Sequence, residues 1–126
     1  MKMRSLIILI GLVLFSCEKQ DNFNVTFTTG DAVLSGLTAT ISTSINADIE
    51  LEGQGIIYDQ TDYLTINTYS YNYTYNESGK ILDTEKWANR EYVLTNLEPN
   101  TTYYYRLYAI NNGLVKYGEI KSFSTW

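Results

Sequence analysis

The chain of 126 residues contains no histidine, one cysteine and one proline. Histidine is the side chain that titrates between pH 5 and 8, so its absence removes the usual general base of enzymes that work near neutral pH. A single cysteine excludes an internal disulfide bond. No glycine-rich phosphate-binding loop precedes a helical pattern. These absences predict a protein that is not an enzyme and that holds neither a cofactor nor a metal ion.

Clusters of basic residues are also missing. The formal net charge is −5, and Lys2 and Arg4 are the only charged residues before Cys17, so removing their two positive charges leaves −7 for the rest. Nucleic acids and anionic membrane surfaces are bound by Lys and Arg clusters that neutralise phosphates. The composition therefore predicts no nucleic-acid partner and no polybasic contact with a membrane.

The first 17 residues have the three parts of a secretory signal peptide. Lys2 and Arg4 form a basic start, Leu6–Phe15 is an apolar run of about ten residues, and polar residues follow Cys17. A helix that spans a bilayer needs about 20 apolar residues, so this run is too short. The sequence predicts a signal peptide over 1–16 that is cut before Cys17, with an uncleaved anchor or a buried helix as the alternative.

The segment Leu14-Phe15-Ser16-Cys17 resembles a bacterial lipobox. In such precursors the cysteine receives a diacylglyceryl thioether and its new amine is acylated. The resemblance implies a bacterial lipoprotein carrying palmitate-type chains on Cys17, held in the cell envelope at the outer membrane and facing the periplasm or the cell surface. Two or three acyl chains anchor a protein stably in a membrane, whereas a single acyl chain gives only marginal membrane binding. Residues 17–22 then form a lipid-anchored tether, and an intermolecular disulfide at Cys17 is the alternative.

Alternating polar and apolar residues run through most of 23–126 and indicate β-strands. Phe23, Val25 and Phe27 begin the pattern. Further strands are expected within 37–43, 49–58, 91–95, 103–110 and 115–125. Asn46-Ala47-Asp48 predicts a turn, and the glycines at 53 and 55 predict a bulge or a close backbone approach. About seven short strands separated by turn signals predict one all-β domain, an antiparallel β-sandwich.

Residues 59–90 are the least regular stretch, and they contain a ladder of alternate tyrosines: Tyr69, Tyr71, Tyr73 and Tyr75. In an extended strand these side chains project to one side. Aromatic faces on a rigid sheet bind sugar rings or anchor a protein partner at low entropic cost. The alternative is that cross-strand tyrosine pairs stabilise a hairpin with residues 80–84 or fill the core.

The C-terminal third looks like the corresponding region of a fibronectin type III domain. The matching features are Leu97-x-Pro99, Tyr103 four residues after that proline, and Ala109-x-Asn111. The resemblance implies a fibronectin type III/immunoglobulin-like sandwich over residues 23–126. It also implies a tyrosine corner, in which the Tyr103 hydroxyl bonds the backbone near Leu97.

The same resemblance assigns the two faces of the strand over 103–110. It implies that Tyr103, Tyr105, Leu107 and Ala109 point inward. Tyr104, Arg106 and Tyr108 then point outward, where Arg106 adds a cation–π contact if the sheet face is shared.

Four acidic residues invite a catalytic or calcium-binding interpretation: Glu50, Glu52, Asp59 and Asp62. Paired carboxylates cleave glycosides, and carboxylate oxygens bind Ca²⁺. Nothing in their spacing places two of them about a cleft or forms a ligand loop, so solvated strand-edge acids are the preferred interpretation.

The sequence therefore predicts a lipid-anchored binding or interaction module of the cell envelope without catalytic activity. Its ligand, a glycan or a protein, is expected on a Tyr-rich sheet face made by Tyr69, Tyr71, Tyr73, Tyr75, Tyr104, Arg106 and Tyr108. The alternative is a structural or assembly subunit of an envelope complex, in which the tyrosines only pack.

Overall fold

A computed structural model describes residues 22–66, 79–83 and 88–126, and every regular element in these ranges is a β-strand. In chain order the strands are β1 (Val25–Thr29), β2 (Val33–Ser35), β3 (Thr38–Ala47), β4 (Gly53–Asp59), β5 (Lys80–Asp83), β6 (Asn89–Leu94), β7 (Thr102–Asn111), β8 (Leu114–Tyr117) and β9 (Lys121–Ser124). They form two antiparallel sheets that face each other, so the predicted all-β sandwich is confirmed.

The first sheet is built around β3. This strand pairs with β6 along one edge and with β1 and β2 along the other. Its side chains alternate as the sequence pattern requires: Ala39, Ile41 and Ile45 are buried, whereas Ser42 and Asn46 are exposed. One face of the sheet therefore supplies the core and the other is covered by small polar side chains.

The second sheet has the order β5-β4-β7, with β8 and β9 both on the far edge of β7. The inward set predicted for β7 is confirmed, because Tyr103, Tyr105, Leu107 and Ala109 are all buried in one cluster with the inner side chains of β3 and β6. This cluster is the main hydrophobic core and lies between the sheets.

Two edge strands are interrupted, so the nine segments in the described part of the chain trace seven strands. β1 ends opposite Thr43 and β2 begins opposite Thr40, so residues 30–32 face only two residues of β3. Residues 118–120 separate β8 from β9 in the same way opposite β7. One extra residue at each break is a β-bulge, a common feature of sheet edges.

Two boundaries differ from the sequence prediction. The predicted start of the turn at Asn46-Ala47-Asp48 is wrong. Strand β3 continues to Ala47, which pairs with Val25 of β1, so the turn begins later. The chain bends only at Asp48, whose carboxylate accepts the backbone N–H of Asn24 at 3.0 Å. The strand expected from residue 49 begins at Gly53, and the short β2 was not predicted.

Gly55 lies where β4 is crowded by its neighbours. A Cβ atom at this position would stand 1.8 Å from the backbone oxygen of Ile81 and 2.9 Å from the Tyr108 hydroxyl. The close backbone approach predicted for Gly55 is therefore confirmed.

Candidate functional site

Tyr103 forms the predicted tyrosine corner. Its hydroxyl accepts the backbone N–H of Glu98 at 2.8 Å, and Leu97 beside it is buried, whereas Pro99 is exposed. The ring stacks on Phe123 with centroids 5.5 Å apart. These contacts fix the loop between β6 and β7, so Tyr103 acts here as a structural residue.

The outward face of β7 is largely covered. Arg106 donates through Nε to the backbone oxygen of Gly118 at 3.1 Å and through Nη1 to that of Leu64 at 3.4 Å. Its guanidinium lies 4.6 Å from the ring centroid of Tyr117, a cation–π contact within the domain. Tyr104 is half-buried on the same face. The N–H donors of Arg106 therefore hold the segments that contain Gly118 and Leu64 against the sheet.

Tyr108 points away from the main core, as predicted, but it has no exposed surface. It forms a second buried cluster with Ile57, Leu64 and Ile110. The covering segment is held there because the backbone N–H of Ile66 donates to the Tyr117 hydroxyl at 2.8 Å. The expectation that Tyr108 faces solvent is therefore wrong, since the chain after β4 folds back over this face.

The tyrosine ladder, Tyr69, Tyr71, Tyr73 and Tyr75, lies outside the described residues, as does Cys17. Their assignments stay predictions.

The structure contains a cleft at the end of the sandwich where β4 and β6 finish and β5 and β7 begin. We call it the end cleft; its volume is about 790 Å³, and it is lined by residues 57–60, 63–66, 79–80, 95–98 and 103. The chain after β4 forms one wall, and the loop between β6 and β7 forms the opposite wall. The end cleft therefore lies between the segment that follows β4 and the loop that connects β6 to β7, at the end of the sandwich and not on the face of a sheet.

The floor of the end cleft is firmly packed. Leu64, Leu97 and Tyr103 are buried there, and Tyr58 lies against Tyr103 with ring centroids 6.5 Å apart. Burial raises the pKa of the Tyr58 hydroxyl, which keeps it neutral and able to donate a hydrogen bond. The backbone N–H of Tyr58 donates to Gly79 O at 2.8 Å. This bond joins the two strands that border the cleft.

The rim of the end cleft carries polar and aromatic side chains in defined positions. Asp59 accepts the backbone N–H of Gln60 through Oδ1 at 2.7 Å. Asn96 has a φ of 57°, a left-handed conformation that asparagine tolerates better than most residues. Tyr63 is 79% exposed. The cleft thus offers carboxylates, amides and an aromatic ring to a ligand.

Sequence reasoning did not identify this group of residues. Its two walls are separated by about 30 positions in the chain, and neither wall carries a recognisable spacing motif. The sequence feature that marks this region is a tyrosine at the end of a polar stretch, Gln60-Thr61-Asp62-Tyr63, which follows directly after the apolar residues of β4.

The described residues contain no group of three His, Cys, Asp or Glu side chains arranged to hold a metal ion. Within the same part of the chain, no helix has the length and hydropathy that crossing a membrane requires.

A family model described as "Purple acid Phosphatase, N-terminal domain" matches residues 13–125, which is most of the chain. This family is a β-sandwich family, as the resemblance at the sequence level implied, although the matching model carries a different name. A search of curated proteins found no match.

Two solved structures share the fold. The solution structure of the sensor domain of the anti-sigma factor RsgI4 from Pseudobacteroides cellulosolvens has a TM-score of 0.54 at 13% identity, over 81% of this chain and 75% of that one. A shorter version of the same sensor domain gives 0.50 at 14% identity, over 80% and 93%. At these identities the likeness shows a common β-sandwich fold.

Proposed function

We propose, since this chain belongs to the family of purple acid phosphatase N-terminal domains, that it is a non-catalytic binding module held at the bacterial cell envelope by lipid on Cys17. The matched family is the non-catalytic domain of those enzymes. The shared-fold structures are sensor domains, and a sensor binds what it detects. The family match supports the absence of catalysis, and the sensor-domain neighbours support a role in binding.

The observation that carries the proposal is the end cleft. Its volume of about 790 Å³ falls within the range of about 300–1,000 Å³ typical of small-ligand sites. Its floor is made of buried side chains and its rim is polar, so a ligand meets groups that the fold already places. Preorganisation of this kind lowers the entropic cost of binding.

Support for the anchor comes from the N-terminal sequence. A short apolar run ends in Leu14-Phe15-Ser16-Cys17, and β1 begins at Val25. A lipid on Cys17 keeps the sandwich within a few residues of the membrane.

Binding is tested by thermal denaturation of the full chain, purified in detergent, with four separate additions: neutral oligosaccharides, soluble peptides, nucleotides and inorganic phosphate. A ligand at 100 times its Kd stabilises the native state by about 2.7 kcal/mol. We expect one class to raise the Tm, by an amount that grows with the logarithm of the ligand concentration once this exceeds the Kd. A Tm that none of the four classes changes contradicts a binding module.

The absence of catalysis is tested with p-nitrophenyl phosphate and added divalent metal ions. We expect no hydrolysis above background. A rate that rises in proportion to the protein concentration, and that survives a second purification, contradicts the proposal.

A further inference from the structure

We infer that the end cleft binds a neutral oligosaccharide. This inference rests on the proposed binding function and names its ligand class. The end cleft is separate from the Tyr-rich sheet face predicted from the sequence. On the described part of that face Tyr108 is buried and Arg106 already holds Gly118 and Leu64.

Tyr63 supplies the aromatic part of the site. It is 79% exposed, and it is the only tyrosine among the highly exposed large side chains of the described residues. Sugar rings have a face of C–H groups that packs on an aromatic face, while their hydroxyls stay at the edge of the ring. An aromatic side chain with an apolar body and a polar tip suits such a ligand.

The polar groups on the rim match sugar hydroxyls, each of which both donates and accepts hydrogen bonds. Asp59 and Glu98 offer carboxylate oxygens that only accept, whereas Gln60 and Asn96 offer amides that do both. Asp59 and Asn96 stand in fixed backbone settings, the first through its bond to the Gln60 N–H and the second through its left-handed φ. The site can therefore pair with several hydroxyls at once.

The charges of the end cleft disfavour other ligand classes. Among the described residues of the lining, Lys80 is the only basic one, against the two carboxylates of Asp59 and Glu98, so a phosphate or another anion meets net repulsion from them. A wholly apolar ligand would leave the polar rim buried without partners, which costs free energy. A neutral polyhydroxylated chain meets neither penalty.

The test is isothermal titration calorimetry on the full chain in detergent with maltohexaose, cellohexaose, mannohexaose and xylohexaose. We expect saturable binding of at least one hexasaccharide. Loss of an aromatic stacking contact weakens binding by a factor of about 2 to 12. Tyr63→Ala is therefore expected to raise the Kd by about that factor, and Glu98→Gln to raise it measurably.

Two control variants lie away from the end cleft. Val33→Ser alters an exposed side chain on the first sheet, and Glu119→Gln removes an exposed carboxylate near β9. Both are expected to leave the Kd unchanged. The side chains of Tyr63 and Glu98 are exposed, so their variants are expected to keep the wild-type Tm.

The outcomes separate this inference from the proposed function. If none of the four hexasaccharides binds while peptides or phosphate raise the Tm, the ligand class is wrong and the binding module stands. If a hexasaccharide binds equally well to Tyr63→Ala and Glu98→Gln, the end cleft is the wrong site. If no compound of any class binds, both proposals fail.

Discussion

Tyrosine hydroxyls on β7 and β8 join the core to the loops around it. The hydroxyl of Tyr103 accepts the Glu98 N–H, and that of Tyr117 accepts the Ile66 N–H, both at 2.8 Å. The hydroxyls of Tyr105 and Tyr108 donate to Gly30 O and Ile81 O at 2.8 and 3.0 Å. Each ring fills space while its oxygen forms a hydrogen bond with a backbone group. The tyrosine content of this strand thus has a structural cause.

Removing one such hydroxyl tests this role. Tyr103→Phe keeps the ring and leaves the Glu98 N–H without its acceptor, so we expect the free energy of unfolding to fall by about 1 kcal/mol in urea denaturation. Tyr63→Phe, at a position that is 79% exposed, is the matched control and is expected to be neutral. Equal stability of Tyr103→Phe and wild type contradicts the tyrosine corner.

At the scale of elements, the two edge bulges are joined by one side chain. Lys121, at the start of β9, donates to Thr29 O at 3.0 Å and lies 2.7 Å from the carboxylate of Asp31. A single ammonium therefore connects the edges of the two sheets. The hydrogen bond and the charge of Lys121 lower the pKa of Asp31 below its usual value.

This pair gives the stability a defined pH dependence. A carboxyl group whose pKa is lowered by folding stabilises the native state above its unfolded pKa of about 4, and that contribution is lost as the pH falls below this value. We expect Asp31→Asn to flatten the fall of the denaturation midpoint below pH 4, by a small amount because the pair is exposed. Profiles of the same slope for variant and wild type contradict the contact.

Gly55 tests the packing of β4 against β5. A Cβ atom there meets Ile81 O, so Gly55→Ala is expected to lower the free energy of unfolding by about 3 kcal/mol or more. Gly36→Ala adds a Cβ in open space at a φ of 60°, and its cost should be only the conformational one of about 1–2 kcal/mol. Equal costs for the two variants contradict the close approach.

The strands also show which structural features could be predicted from the sequence. Alternation identified β3, and the fibronectin type III resemblance assigned the inner face of β7. The structure agrees with both because burial between two sheets imposes period two on each strand. The end of β3 was misjudged since pairing with β1 outweighs the turn preference of Asn46 and Asp48. The burial of Tyr108 depends on Leu64, some 40 residues away, and no local pattern records that contact.

At the scale of the whole molecule, the proposed lipid on Cys17 holds a small acidic β-sandwich with an open end at a membrane. The anchor makes a prediction of its own. Labelled palmitate should enter the wild-type protein in bacterial cells and should be absent from Cys17→Ser, which should leave the membrane fraction. Labelling that survives Cys17→Ser contradicts the lipid anchor. Unlabelled wild type beside a labelled lipoprotein in the same cells contradicts it as well.

The end cleft was beyond sequence prediction for a related reason. Its walls come from the segment after β4 and the loop before β7, which only the tertiary fold brings together. The tyrosine corner was predictable because a single short segment contains both of its partners, Tyr103 and Glu98.

The end cleft is the proposed ligand-binding site of this module. Amide hydrogen exchange of the full chain tests that assignment most directly. Exchange is followed by mass spectrometry with and without each pool of oligosaccharides, peptides, nucleotides and phosphate. We expect one pool to slow exchange in peptides covering 58–66 and 95–98 while leaving 33–44 unchanged. Slowed exchange in 33–44 alone, or no change with any pool, contradicts the claim.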